Sequence, residues 1–174
     1  MSHTDFPDKR ALDAAIDMEE KGHIFFKESA AKSKNTLAKE IFEYLSDEEL
    51  KHLEAIKKFI ASYAIGQTIN PESLIKDIKE HKSPVDMIFA QIAKAAPLEG
   101  SELDVYKFAV DFEIKSEKFY AKAETEATDP NARKLYGFLI GEERRHTKIV
   151  ESCLAYFENP AEFFHQREKW HFEA

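Results

Sequence analysis

Glu49-Leu50-Lys51-His52 and Glu143-Arg144-Arg145-His146 are the two stretches whose reading decides the fold. They lie 94 residues apart, and a glutamate stands 30 residues before each: Glu19 before the first, Glu113 before the second. Leu45, Glu49, His52 and Ile56 step by four, three and four, and so do Leu139, Glu143, His146 and Val150. Residues at those spacings share one face of a helix, so each Glu and His interrupts an apolar stripe that otherwise faces a core. Ala15, Ile16 and Phe26 flank Glu19 in the same way, and Ala109 and Tyr120 flank Glu113.

A shift of 94 residues aligns more than these ligand types. Met18-Glu19-Glu20-Lys21 falls on Phe112-Glu113-Ile114-Lys115, Phe25-Phe26 on Phe119-Tyr120, and Ile41-Phe42 on Leu135-Tyr136. The offset holds without a gap, so the chain reads as two copies of one helical hairpin. Packed about a pseudo-twofold, such copies bring their equivalent residues together at the bundle centre.

The helix signals agree. Apolar periodicity after Pro7-Asp8 predicts helix A over about 7–32, broken at Ser33–Asn35. Helix B follows, with Gly66 as its expected C-cap. Asn70-Pro71 and Ser83-Pro84 start two shorter helices, about 71–81 and 84–96. Ser101-Glu102-Leu103-Asp104 resembles a capping box and opens helix C, about 101–127, and Asp129-Pro130 opens helix D, which runs to about Phe157. Asn159-Pro160 starts a last short helix before an aromatic tail. The expected organisation is therefore one all-α domain over 1–174. It comprises a first hairpin at 7–65, a crossover insertion at 66–100, a second hairpin at 101–157 and a C-terminal tail at 158–174. Two antiparallel hairpins joined by one long helical crossover, between helices B and C, have the connectivity of ferritin-like four-helix bundles.

Composition narrows the function. A net charge of −8 argues against a nucleic-acid partner. No apolar run is long enough to span a membrane, and no secretory signal is visible at the N-terminus, so the expected location is cytoplasmic. The single cysteine, Cys153, leaves no intrachain disulfide and no four-cysteine site within the sequence. It falls on an apolar stripe and reads as a buried structural thiol.

A Glu-x-x-His is by itself a weak sign, because His23, His52, His146, His165 and His171 all have Glu three residues earlier. Position on the core-facing stripe separates His52 and His146 from the rest. His3, His23, His81, His165 and His171 are left out as solvated, and Glu20 is the adjacent rival to Glu19. Four carboxylates and two imidazoles in one core cost several kcal/mol per unpaired ion, and no Lys or Arg lies on these stripes at the same level. Two divalent metal ions would balance four glutamates. Carboxylate with imidazole suits iron, manganese or zinc and not a soft-ligand copper or iron–sulfur site. One Glu from each of two helices, with Glu-x-x-His from each of the other two, is the pattern of di-iron and di-manganese carboxylate bundles. Tyr120 is the candidate catalytic residue, since its buried hydroxyl needs a partner and a ligand carboxylate can supply one.

At these residues the chain resembles the rubrerythrin family within the ferritin-like superfamily, in a stand-alone form. The likeness covers helices A to D and rests on Met18-Glu19-Glu20-Lys21-Gly22 with Phe25-Phe26, and on both Glu-x-x-His pairs. It implies that Glu49 and Glu143 bridge two irons, that Glu19 and Glu113 are terminal ligands, and that His52 and His146 are the imidazole ligands. Three departures stand beside it. The rubredoxin-like four-cysteine segment that delivers electrons in rubrerythrins is not matched. Ser116 occupies the place of an additional helix-C glutamate, with Glu117 on a different rotation. Phe26 stands where the family often has Tyr. Three readings follow: an oxidoreductase acting on peroxide or oxygen with a separate electron donor, an iron-oxidising storage or detoxification protein, and a non-enzymatic, metal-stabilised interaction module. A homodimer or larger homo-oligomer is expected in each, with the tail aromatics docked on the bundle or a neighbouring subunit.

Overall fold

The computed structural model describes residues 8–64, 70–79 and 100–163, and among them every regular element is a helix. These are α1 (Lys9–Lys32), α2 (Thr36–Ala64), α3 (Pro71–Lys79), α4 (Gly100–Glu126) and α5 (Pro130–Glu158). No helix among the described residues is long and apolar enough to cross a membrane. The expected helix at 84–96, the Gly66 cap and the tail beyond Phe163 lie outside the described residues.

The four long helices match the two expected hairpins to within two residues at each described end. α1 packs chiefly on α2, and α4 on α5. Two apolar clusters fix the helix directions. One holds Leu12 and Ala15 of α1, Ile56 and Phe59 of α2, Tyr120 and Ala123 of α4, and Leu135 and Tyr136 of α5. The other holds Phe26 and Ala30, Ile41 and Phe42, Tyr106 and Ala109, and Val150 and Cys153 of the same helices in order. So α1 and α5 run one way and α2 and α4 the other. α3 lies against α2 and α5, burying Leu74 and Ile78 in the first cluster.

The repeat is visible in the contacts between hairpins. The Asp8 carboxylate accepts hydrogen bonds from the backbone N–H groups of Thr128 (3.1 Å) and Asp129 (2.9 Å) in the α4–α5 turn. Its equivalent 94 residues on, Glu102, accepts one from Lys34 N–H (3.2 Å) in the α1–α2 turn. Each hairpin thus closes its turn on a carboxylate from the start of the other. Within the turns, Asn35 Oδ1 accepts from Ala38 N–H (3.1 Å) and its equivalent Asp129 Oδ1 from Ala132 N–H (3.0 Å), satisfying free donors of α2 and α5. Asp8 does not cap its own helix with its side chain, because that carboxylate is committed to the opposite turn. One expectation shifts here. α4 begins at Gly100, one residue ahead of the expected Ser101 start, and Glu102 serves the α1–α2 turn.

Candidate metal centre

Between the two apolar clusters lies a layer of polar side chains. Glu19 comes from α1, Glu49 and His52 from α2, Glu113 from α4, and Glu143 and His146 from α5. All six are buried, with at most 1% of each exposed. The choice between Glu19 and Glu20 resolves by rotation, since Glu20 is exposed. Ser116 is buried beside this layer, while Glu117 turns away to pair with Arg144 (2.7 Å).

The six side chains form two groups of four that share two members. Glu19, Glu49, His52 and Glu143 present ligand atoms within 4.8 Å of one another, and so do Glu49, Glu113, Glu143 and His146. His52 Nδ1 stands 3.5 Å from Glu19 Oε2 and 3.5 Å from Glu143 Oε1. His146 Nδ1 stands 3.4 Å from Glu49 Oε1 and 3.7 Å from Glu113 Oε2. The imidazoles stack at 5.4 Å between centroids. These separations are long for hydrogen bonds. They suit donors facing a common ion, because atoms about 2.1 Å from one centre sit roughly 3.4 Å apart in a tetrahedron. Ten nitrogen and oxygen atoms of the six side chains have no hydrogen-bond partner, including both ring nitrogens of each histidine. Buried polar groups are rarely left so, and the donor set fits a pair of hard or borderline metal ions.

The electrostatics describe a cluster under strain of charge. Burial, reinforced by the neighbouring Glu49 charge, raises the carboxyl pKa values of Glu19, Glu113 and Glu143 well above the ordinary range. Burial also acts against ionisation of Glu49, but the adjacent Glu19 carboxyl and the His146 and His52 rings outweigh it and hold that carboxyl below the ordinary range. For His52 burial opposes the charge, yet Glu19, Glu143 and Glu49 around it raise its pKa. Among the described residues, no Lys or Arg makes an ion pair with any of the six. The nearby cations are engaged elsewhere: Arg145 with Glu48 (2.7 Å), Glu142 and Tyr44, and Lys51 with Glu48 (2.6 Å).

Tyr120 is fully buried and its hydroxyl donates to Glu19 Oε1, leaving Glu19 Oε2 unpartnered. Burial raises the Tyr120 pKa, with the Glu19 charge adding to it, so the hydroxyl stays a donor. Gly22 lets α1 lie against the centre: a β-carbon there would stand 3.2 Å from Glu49 Cδ and 3.0 Å from the Phe112 ring. Sequence reasoning did not single out Glu142, which joins His52 and His146 in a third group of potential ligands. The available signal was its equivalence to Glu48 under the 94-residue shift. His23, set aside from the sequence, has its Nδ1 2.9 Å from the Ser46 carbonyl oxygen and lies outside all three groups.

A family model described as Rubrerythrin matches residues 10–154. No curated protein and no solved structure matches the chain.

Proposed function

The chain belongs to the rubrerythrin family, and from that premise we propose that it is a di-iron carboxylate oxidoreductase that reduces peroxide or dioxygen. Manganese and zinc are the alternative metals. The ligands in this reading are Glu19, Glu49, His52, Glu113, Glu143 and His146. The observation that carries it is the sharing of Glu49 and Glu143 between two four-residue groups; each of two ions would then have one histidine, one glutamate of its own and a share of these two carboxylates. Four carboxylates then balance two divalent charges, removing the cost of burying them unpaired.

When bound, a pair of redox-active ions supplies one electron from each to an O–O bond. The side chains set the conditions. Tyr120 occupies Glu19 Oε1 and leaves Oε2 available to hold an ion, so it would be a positioning residue for that ligand. Glu49 and Glu143, members of both groups, would be the carboxylates shared between two ions. The apolar layers above and below, with Leu45, Ile56, Leu139 and Val150 fully buried, keep bulk water from the ligands. Reducing equivalents come from a separate electron-donor protein.

The test is metal analysis of protein prepared without oxygen, followed by peroxide titration of the reduced form. Two irons per chain and one peroxide consumed per pair are expected, and both should be lost in Glu49→Ala/His52→Ala. An iron-oxidising storage protein would instead continue to take up and oxidise ferrous iron far beyond two per chain. Stoichiometric metal with no reaction toward peroxide or oxygen would leave the interaction-module reading.

A further inference from the structure

The two hairpins meet along two seams, with the ligand layer between them. On the α2–α5 seam polar groups bridge the gap at the level of that layer: Arg145 donates to Tyr44 (2.7 Å) and Glu48 (2.7 Å), and the two imidazoles stack. The α1–α4 seam is built otherwise. Its ends are pinned by the Asp8 and Glu102 bonds to the opposite turns, and between them apolar side chains close its outer edge. Antiparallel packing sets the register. Phe25 meets Phe108 (4.9 Å between ring centroids), Gly22 meets Phe112, and further along Ala11 and Ala14 meet Phe119 and Ala123. One turn of α1 before Gly22 comes Met18, and one turn of α4 after Phe112 comes Ser116, so the register sets Met18 against Ser116.

The repeat makes the two halves of this seam comparable. Met18 is the equivalent of Phe112, Ala14 of Phe108, and Ser116 of Gly22. One half carries four phenylalanines in contact: Phe108 on Phe25, Phe25 on Phe26 (5.0 Å), and Phe112 against both (6.2 and 6.1 Å). Phe112 covers Gly22, and Glu49 Cδ lies within 3.2 Å of the β-carbon position there. The other half keeps two of the four rings, Phe119 and Tyr120 (5.3 Å), and Tyr120 is turned inward to Glu19. Where the first half has Phe108 and Phe112, it has Ala14 and Met18. Ala14 is exposed and lines a hollow of about 480 Å³ with Ala11 and Phe119. Met18 is partly buried, next in sequence to Glu19, and faces Ser116, which is 2% exposed and one turn from Glu113.

The two coverings differ in how readily they yield. A ring wedged among three others moves only if its neighbours move with it. A partly exposed methionine has three rotatable bonds and changes rotamer freely. By the repeat, Ser116 stands to Glu143 as Gly22 stands to Glu49, so Met18 is the single yielding side chain between the Ala14 hollow and that side of the ligand layer. We propose that Met18 is the gate of the centre: the oxidant enters from the hollow at Ala14, past Met18 and over Ser116, while the phenylalanines keep the Glu49 side closed. A passage one side chain wide admits dioxygen or hydrogen peroxide and holds back a branched alkyl hydroperoxide, which makes Met18 a determinant of specificity. This rests on the oxidoreductase reading above and assigns its route of access.

The test exchanges the two halves in the full chain. Reduced, iron-loaded protein is mixed with nitric oxide and its association rate read from the visible spectrum, beside the rates with hydrogen peroxide and tert-butyl hydroperoxide. Met18→Phe, which copies the closed half onto the open one, should slow nitric oxide association about tenfold, and Met18→Ala should speed the reaction with tert-butyl hydroperoxide about tenfold. Phe112→Met should change either rate by no more than about twofold, because Phe25, Phe26 and Phe108 still close that half. Circular dichroism and bound iron should match the wild type in all three. Rates indifferent to both Met18 variants, or a Phe112→Met protein that reacts faster than Met18→Ala, would overturn the gate while leaving the oxidoreductase reading in place. A wild type that takes up iron but reacts with neither nitric oxide nor peroxide would overturn that reading and the gate with it.

Discussion

On the di-metal reading proposed above, removing metal from this core should cost the protein more stability at pH 8 than at pH 6. The cluster has ten unpartnered polar atoms. Even at about 1 kcal/mol each, the low end for an unsatisfied buried group, the penalty of about 10 kcal/mol is of the size of a domain's whole stability. The metal-free chain relieves that penalty by taking up protons. Glu19, Glu113 and Glu143 have folded-state pKa values raised above their unfolded ones, as does His52. Groups of this kind stabilise the fold below the unfolded pKa and lose that contribution as pH rises through the folded pKa. Glu49, with a depressed pKa, has the opposite sign, but its contribution is lost only on acidification below the ordinary carboxylate range. The metal-free protein should therefore weaken between pH 6 and pH 8. Metal competes with the same protons, so its stabilisation grows over that interval. With free metal a thousandfold above Kd, each site adds about 4 kcal/mol. At about 2–4 °C per kcal/mol for a chain of this size, two sites correspond to a Tm gain of roughly 16–32 °C at pH 8. The assay is calorimetry with Mn²⁺ or Zn²⁺, which avoid oxygen chemistry, against the same protein in excess chelator at both pH values. Coincident melting temperatures at pH 8, or a gap that widens toward pH 6, would refute the reasoning.

Replacing Gly22 by alanine gains about 1 kcal/mol of helix preference but sets a β-carbon 3.2 Å from Glu49 Cδ. Metal-free stability should change by less than about 1 kcal/mol, while metal affinity falls about tenfold on titration, the scale of disturbing a ligand's support. Asp8→Ala strips the Thr128 and Asp129 N–H groups of their partner and should cost about 2 kcal/mol, a Tm drop of roughly 4–8 °C. Glu102→Ala, losing one exposed bond to Lys34 N–H, should cost less than about 1 kcal/mol by the same melt. Cys153, with its thiol pKa pushed up to about 12 by burial, should react with a disulfide reagent at pH 8 only as fast as the native chain opens; rapid labelling would contradict its placement.

The helix content, the hairpin pairing and the six-residue layer were legible in the sequence because each rests on a local period. Leu45-Glu49-His52-Ile56 and its repeat share a face on any α-helix, and the 94-residue shift supplies the symmetry that makes two such faces meet. Rotation around a helix is likewise periodic, which is why Glu19 and not Glu20 turns inward. The tertiary structure alone decided which atoms share a space. The two groups of potential ligands overlap at Glu49 and Glu143, Tyr120 reaches Glu19 across 101 residues of chain, and Asp8 serves the distant turn instead of its own helix. Periodicity fixes what faces inward, whereas distances between helices depend on how every buried side chain packs at once.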